Sequence, residues 1–279
     1  MKVCIRAHDM EVKGTENTIK SLQDAGADGA QLVCYKSYDD IKKQPNAISS
    51  EHAESIGDGF EKADLSIDLI GAYFNPVHSD KDKVREGYDI FCDYLQVSRQ
   101  LGCSVVGSET GSYSDEPWVY HPKNRTEAAL DEMVSVFSGL CDVAAEYGAS
   151  VGIEGAGGHV CYSVKTLKRA IEKIDKENIK VIFDLYNFLD KENYREYLSI
   201  LDEGLKAFAG RIHCFHIKDC VFGIDGYSQC DVGMGDMDFD SILSKIKKYD
   251  NNAVLILEGT KKANIKNSIE FLRNMWGKT

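Results

Sequence analysis

Four apolar runs in the second half of the chain each end in a residue able to bind a metal ion. They are Val151-Gly-Ile-Glu154, Val181-Ile-Phe-Asp184, His213-Cys-Phe-His216 and Leu255-Ile-Leu-Glu258. An acid that closes one apolar run often marks only the point where the chain reaches solvent. In four successive runs the pattern is more specific, because an unpaired carboxylate is costly to bury. Convergence of Glu154, Asp184, His216 and Glu258 on one divalent cation removes that cost for all of them. Three carboxylates and one imidazole suit Mn²⁺, Co²⁺ or Mg²⁺ better than a structural Zn²⁺, although Zn²⁺ is also compatible. Coordination positions then stay open for substrate oxygens.

Strand alternation refines the choice of histidine. Side chains two apart share a face, so Cys214, His216 and Lys218 point one way and His213 points toward the helix layer unless a bulge intervenes. Lys218 then becomes a cation near the site, with a salt bridge to Asp219 as the structural alternative. Further candidates for substrate contact are His8, Asn75 and Glu109, each at or just after the end of a predicted strand, and Asn187, three residues beyond Asp184. Residues 109–125 form a long connection containing Tyr113, Trp118, Tyr120 and His121, suited to a lid, a sugar-stacking surface or a subunit contact.

The elements that must position these residues alternate along the chain. Strand-like runs are expected at 2–8, 29–33, 66–74, 104–108, 150–154, 180–184, 211–218 and 253–258. Helical patterns lie between and after them, at 15–25, 50–64, 81–102, 125–148, 163–175, 194–209, 238–248 and 263–275. Gly26, Gly102 and Gly148 mark helix stops. Eight such units predict a parallel sheet closed into a single (β/α)₈ barrel over residues 1–279, with function at the carboxyl ends of its strands. A doubly wound open sheet is the competing architecture, but GxGxxG does not follow the first strand, where Ala7-His8-Asp9-Met10 stands instead.

Composition narrows the function classes. The 279 residues carry 33 Lys and Arg against 45 Asp and Glu, a formal charge of −12, which argues against a general nucleic-acid binder. No apolar run of membrane-spanning length occurs, and charge interrupts the first residues too early for a secretory signal. The nine cysteines form no CxxC pair, as expected of small core residues in a reduced, cytoplasmic protein. Two other patterns fail. Gly155-Ala-Gly-Gly-His159 lacks the third dinucleotide glycine, and Asp236-Met-Asp-Phe-Asp240 lacks the glycine and terminal glutamate of a calcium loop, so Asp236 or Asp238 is expected to cap the next helix.

The segments Ile-Glu-Gly (153–155), Phe-Asp-Leu-Tyr-Asn (183–187), His-Ile-Lys-Asp (216–219) and Leu-Glu-Gly (257–259) resemble the xylose isomerase-like barrel superfamily. The resemblance runs in strand order and is strongest to its sugar phosphate isomerase/epimerase and ketose 3-epimerase branch. It implies that Glu154, Asp184, His216 and Glu258 are metal ligands and that Glu154 and Glu258 double as acid and base. It also implies a carbohydrate substrate and a homo-oligomer. Two positions depart from the ketose epimerase pattern: Asn187 stands where a histidine is usual and Phe222 where an arginine is usual. These departures count against an ordinary free ketose as substrate and leave a modified sugar, cyclitol or glycoside open.

Such a site has a physical logic of its own. A divalent ion holding adjacent carbonyl and hydroxyl oxygens stabilises the enediolate left when a neighbouring C–H loses its proton. Two carboxylates can take a proton from one face and return one to the other, which is epimerisation. Return to the adjacent carbon gives aldose–ketose isomerisation, and loss of a β-substituent gives lyase or dehydratase chemistry. A sugar-binding barrel without turnover and a metal-dependent phosphodiester hydrolase are the remaining readings. The paired glutamates weigh against the first, and Asn187 with the acidic charge weighs against the second.

Overall fold

A computed structural model describes residues 1–116 and 119–279 of the chain. Its strands are β1 (Lys2–Arg6), β2 (Gly29–Leu32), β3 (Ser66–Gly71), β4 (Val105–Glu109), β5 (Ser150–Glu154), β6 (Ile179–Asp184), β7 (Ile212–Ile217), β8 (Asp219–Phe222), β9 (Tyr227–Cys230) and β10 (Val254–Leu257). All but β8 and β9 pair in parallel and close a barrel in the order β1-β10-β7-β6-β5-β4-β3-β2. The helices are α1 (Thr15–Ala25), α2 (Cys34–Ser37), α3 (Ser50–Lys62), α4 (Lys81–Gln96), α5 (Glu127–Glu146), α6 (Val164–Ile174), α7 (Tyr197–Ala207), α8 (Phe239–Tyr249) and α9 (Ile265–Lys278). The (β/α)₈ barrel expected from the alternation is the fold observed.

Period-two alternation divides the apolar residues between two cores. Outward-facing Val3, Ile5, Val151, Ile153, Val181, Phe183, Leu255 and Leu257 pack against the helices. Inward-facing Cys4, Leu69, Val105, Ile182, Cys214 and Ile256 form a separate plug inside the barrel. Space for the Ile182 side chain comes from two glycines: a Cβ at Gly107 would lie 2.4 Å from Ile182 Cδ1, and one at Gly152 3.0 Å from the same atom. That plug is the floor on which the polar strand ends stand.

Helix starts follow the expected capping chemistry. Ser49, Asp80, Thr126, Ser163 and Asp238 each accept a hydrogen bond from a backbone N–H of the following turn. Asp238 is thus the cap of α8, while Asp236 accepts from the Phe222 N–H.

Several boundaries differ from expectation. The first and third strands stop at Arg6 and Gly71, and His8 sits in a 3₁₀ turn, Ala7–Met10. Helix α4 ends at Gln96, and turns through Val97 and Leu101 lead to Gly102, whose φ is +71°. The β8–β9 hairpin was not expected. Its Gly223–Gly226 loop is closed by the Gly223 N–H donating to the Gly226 carbonyl, and it follows directly on β7. His213 is the other correction. The β6–β7 register shifts beside it, and its Nε2 lies 2.5 Å from the Asp68 carbonyl of β3, on the opposite side of the barrel. An irregular register turns His213 into the barrel base and away from the helix layer.

Candidate metal and active site

Glu154 and Asp184 close β5 and β6, His216 is the penultimate residue of β7 and Glu258 directly follows β10, all on the inward side set by alternation. Each offers a ligand atom within 4.8 Å of the others, as the strand-end pattern predicted. All four are buried, and Asp184 is fully inaccessible. His216 Nδ1 lies 2.8 Å from Glu258 Oε2, 3.2 Å from Glu154 Oε1 and 3.9 Å from Asp184 Oδ2. The other ring nitrogen, Nε2, is 2.9 Å from Gln31 Oε1, and Gln31 Nε2 in turn donates to the Tyr73 hydroxyl at 2.6 Å. Since the Gln31 carbonyl accepts from Nε2–H, Nδ1 is the nitrogen presented to the carboxylates.

Cationic side chains compensate the acids. Lys218 Nζ lies 2.7 Å from Asp184 Oδ2 and 3.0 Å from Glu258 Oε1, and donates to Asn187 Oδ1 at 2.9 Å. Arg6 Nη1 donates to Glu258 Oε1 at 2.8 Å, while its Nε and Nη2 form a fork to Asp9. Asn187 donates from Nδ2 to Glu154 Oε1 at 2.9 Å, and its backbone N–H donates to Asp184 Oδ1 at 3.1 Å.

The titrations follow from this crowding. Burial acts to raise the Glu258 carboxyl, but Lys218 and His216 outweigh it and hold the group well below the usual range. Burial lifts Asp184 to about 6 against the pull of Lys218. For His216, burial works downward, yet Glu154 and Glu258 carry the imidazolium up to about 10. Glu109, on the neighbouring strand, is pushed to about 8 by burial and then by Glu154 and Glu258. His8 falls to about 4 through burial and the nearby Arg6 charge. These residues suit a divalent cation. Three carboxylates and one imidazole face a common point, and the imidazole is oriented by a hydrogen bond from its far side.

A cavity of about 520 Å³ opens over the β1, β2, β3 and β4 ends of the site, with Glu154 and Glu258 in its wall. Among the predicted substrate contacts, His8, Asn75 and Glu109 also line it. Asn75 is largely occupied, since its Nδ2 donates to the Ser112 carbonyl and its Oδ1 accepts from the Val77 and Ser112 N–H groups. Glu109 Oε2 lies 3.9 Å from His159 Nε2. Asn187 and Lys218 bind the carboxylates and do not line this cavity. Lys218 makes no pair with Asp219, whose carboxylate accepts from the Cys220, Gly233, Gly235 and Met237 N–H groups. Phe222 packs against Tyr194 and Tyr197. In the connection after β4, Ser112, Asp115 and Glu116 border the cavity, and Trp118 lies outside the described residues.

Sequence reasoning missed Arg6, Asp9, Gln31 and Tyr73. Arg6 carried a usable signal, being charged and two residues from the inward-facing Cys4. Gln31 carried the same kind of signal, a polar residue inside the apolar run Gly29-Ala-Gln-Leu-Val33, and it is fully buried in the structure.

The model of the family described as "Xylose isomerase-like TIM barrel" matches residues 19–275. The chain belongs to this family. An uncharacterized protein of Methanocaldococcus jannaschii is 25% identical over 171 residues, 60% of this chain and 54% of that protein, so the chain spans about half the length of this curated relative. Among solved structures, a zinc-bound IOLI protein superposes with a TM-score of 0.77 at 17% identity, covering 100% of this chain and 99% of that one. A D-tagatose 3-epimerase-like protein gives 0.77 at 18%, covering 99% and 97%. A probable 3-DHS dehydratase, AsbF of Bacillus anthracis, gives 0.74 at 15%, covering 98% and 99%. At these identities the solved structures establish a shared fold.

Proposed function

We propose that this family member is a divalent-metal-dependent isomerase or epimerase acting on a small carbohydrate or carbohydrate derivative. The observation that carries this reading is the convergence of Glu154, Asp184, His216 and Glu258 beside a cavity large enough for a sugar. Those four residues would hold the cation, Mn²⁺, Co²⁺, Mg²⁺ or Zn²⁺, which when bound polarises adjacent carbonyl and hydroxyl oxygens and so acidifies the intervening C–H.

The proton transfers fall to the chain's own carboxylates. Glu154 and Glu258 come from strands three places apart in the barrel and both reach the cavity wall. One takes the proton from the carbon beside the carbonyl and the other returns a proton to the opposite face, or to the adjacent carbon. Lys218, His216 and Arg6 keep Glu258 ionised, the form that a base requires. Asn187, donating to Glu154, fixes the orientation of the other carboxylate. His8 and Glu109, at the cavity wall, would contact substrate hydroxyls.

One observation favours a second reading. Glu109 pairs with Glu154 in the β4–β5 register and faces the same cavity, placing a third carboxyl group where a leaving hydroxyl could be protonated. The product would then come from a dehydratase or lyase reaction. The nine free cysteines support a reduced, cytoplasmic setting, and among the described residues no helix is long and apolar enough to cross a membrane.

The test is metal analysis of the purified protein together with solvent-deuterium exchange into candidate sugars. One ion per chain and deuterium at a carbon beside the carbonyl are expected for an epimerase or isomerase. An unsaturated or deoxygenated product selects the lyase. A folded protein that binds no divalent ion and exchanges no proton overturns the proposal.

A further inference from the structure

The hydrogen-bond chain behind His216 has a direction, and it ends at the cavity. An imidazole that turns Nδ1 toward a cation keeps its hydrogen on Nε2, so Gln31 Oε1 is the acceptor at 2.9 Å. With that oxygen committed, only the amide nitrogen is left for Tyr73, and it donates to the phenolic oxygen at 2.6 Å. Tyr73 therefore receives a hydrogen from Gln31 and keeps its own. Among the described residues its oxygen makes no other hydrogen bond, so the hydroxyl hydrogen has no acceptor within the protein. The side chain is half-buried and lines the same cavity as Glu154 and Glu258. Its ring is held there by the strand end. Leu69 faces into the barrel, and alternation carries the same side through Gly71 to Tyr73. A Cβ at Gly71 would stand 2.6 Å from Tyr73 Cε2, so glycine at this position is what lets the ring lie against the strand. Burial, followed by the charges of Glu154, Glu258 and Glu109, holds the phenol well above its usual range and so keeps it a donor. A hydroxyl that accepts a strong hydrogen bond also donates more strongly.

We infer that Tyr73 contacts the substrate: its O–H, turned away from Gln31 by the His216–Gln31 chain, donates to an oxygen of the carbonyl–hydroxyl pair on which Glu154 and Glu258 act. This rests on the catalytic reading above and adds to it a donor for the oxygen where negative charge develops. One amide then serves two purposes. It orients the imidazole of a metal ligand, and by the same orientation it frees the Tyr73 hydrogen for the cavity.

The test uses the full-length, Mn²⁺-loaded protein and glycolohydroxamate, a planar mimic of an enediolate, with binding measured by calorimetry. Tyr73→Phe keeps the ring and removes the hydrogen. Affinity for the probe should fall roughly 10–100-fold, while Mn²⁺ affinity from chelator competition stays within about threefold. Gln31→Glu leaves Tyr73 in place but supplies a carboxylate that accepts from both His216 and Tyr73. It should capture the hydroxyl hydrogen and weaken the probe by a similar factor, with Mn²⁺ still bound. In the Gln31→Glu background, Tyr73→Phe should then cost no more than about twofold, because both changes remove the same hydrogen bond. Probe affinity within about twofold of wild type in either single variant overturns the inference. A Tyr73→Phe loss as large in the Gln31→Glu background as in wild type also overturns it. Should Tyr73→Phe fail to fold, Gln31→Glu alone still decides, since its expected loss comes from the hydrogen and not from the ring. Metal content and solvent-deuterium exchange of the wild type keep the two readings distinct. A wild type that binds Mn²⁺ and exchanges protons, beside an indifferent Tyr73→Phe, removes only the Tyr73 contact. A folded wild type that binds neither Mn²⁺ nor the probe overturns the catalytic reading and this contact with it.

Discussion

Replacing Gln31 by Met tests how the candidate metal centre is oriented. Gln31 is fully buried, and its amide links two groups: the Oε1 accepts from His216 Nε2 at 2.9 Å and the Nε2 donates to the Tyr73 hydroxyl at 2.6 Å. Methionine fills a similar volume but offers neither strong contact. The far-side hydrogen bond that holds His216 Nδ1 toward Glu154, Asp184 and Glu258 is then lost, a change that lowers metal affinity by roughly 10–100-fold in comparable sites. That range corresponds to about 1.4–2.7 kcal/mol. The metal-free fold pays separately, by roughly 1–3 kcal/mol for each buried polar group left without a partner.

The two effects are separated by two assays. Competition against a fluorescent chelator gives the affinity for Mn²⁺, Co²⁺ and Zn²⁺, and denaturant unfolding of metal-free protein gives the stability. Gln31→Glu retains an acceptor for Nε2–H and should hold more of the affinity than Gln31→Met. A folded Gln31→Met protein whose affinity stays within about twofold of wild type refutes the orientation, because a far-side bond to a coordinating imidazole cannot be that cheap to remove.

Glu258→Gln should lower turnover by roughly 10²–10⁴-fold while the circular dichroism spectrum is preserved, and near-normal activity on a confirmed substrate rules out its role as acid or base. The His216 imidazolium is raised from 6.5 to about 10, so its contribution to metal-free stability is full below pH 6.5 and disappears as pH rises through about 10. Metal binding must displace that proton. Apparent affinity should therefore climb by about tenfold per pH unit between those values, with close to one proton released in calorimetry across buffers of different ionisation enthalpy; a pH-independent affinity contradicts it. Gly107→Val would place a Cβ 2.4 Å from Ile182 Cδ1, so it should cost about 1–3 kcal/mol in denaturant unfolding; an unchanged midpoint would show that the barrel plug has room to spare.

How much of this site was legible depends on whether a residue's role is set by its own strand or by closure of the barrel. Glu154, Asp184, His216 and Glu258 could be picked out because each follows an apolar run and alternation alone turns it inward. His213 obeyed no such rule, because a register shift beside it overrides the alternation. The β8–β9 hairpin has only short strands to announce it, though Asp225-Gly226 in its loop is a hairpin signal. Arg6 and Gln31 are a different case: each is a polar residue in an otherwise apolar strand, but the partners Glu258 and His216 lie 252 and 185 residues away, so no local pattern names the pairing. Strand order supplies what periodicity lacks. With β1 beside β10, the register that pairs Ile5 with Leu257 brings Arg6 level with Glu258 at the next step. The β6–β7 register sets Asp184 opposite His216, and β4–β5 sets Glu109 opposite Glu154. The inward polar layer of a closed parallel barrel is therefore determined jointly by alternation within strands and register between them. Of the residues missed from the strands alone, Arg6 becomes a neighbour of a predicted ligand once the ring is closed, whereas Gln31 reaches His216 from β2, three strands away.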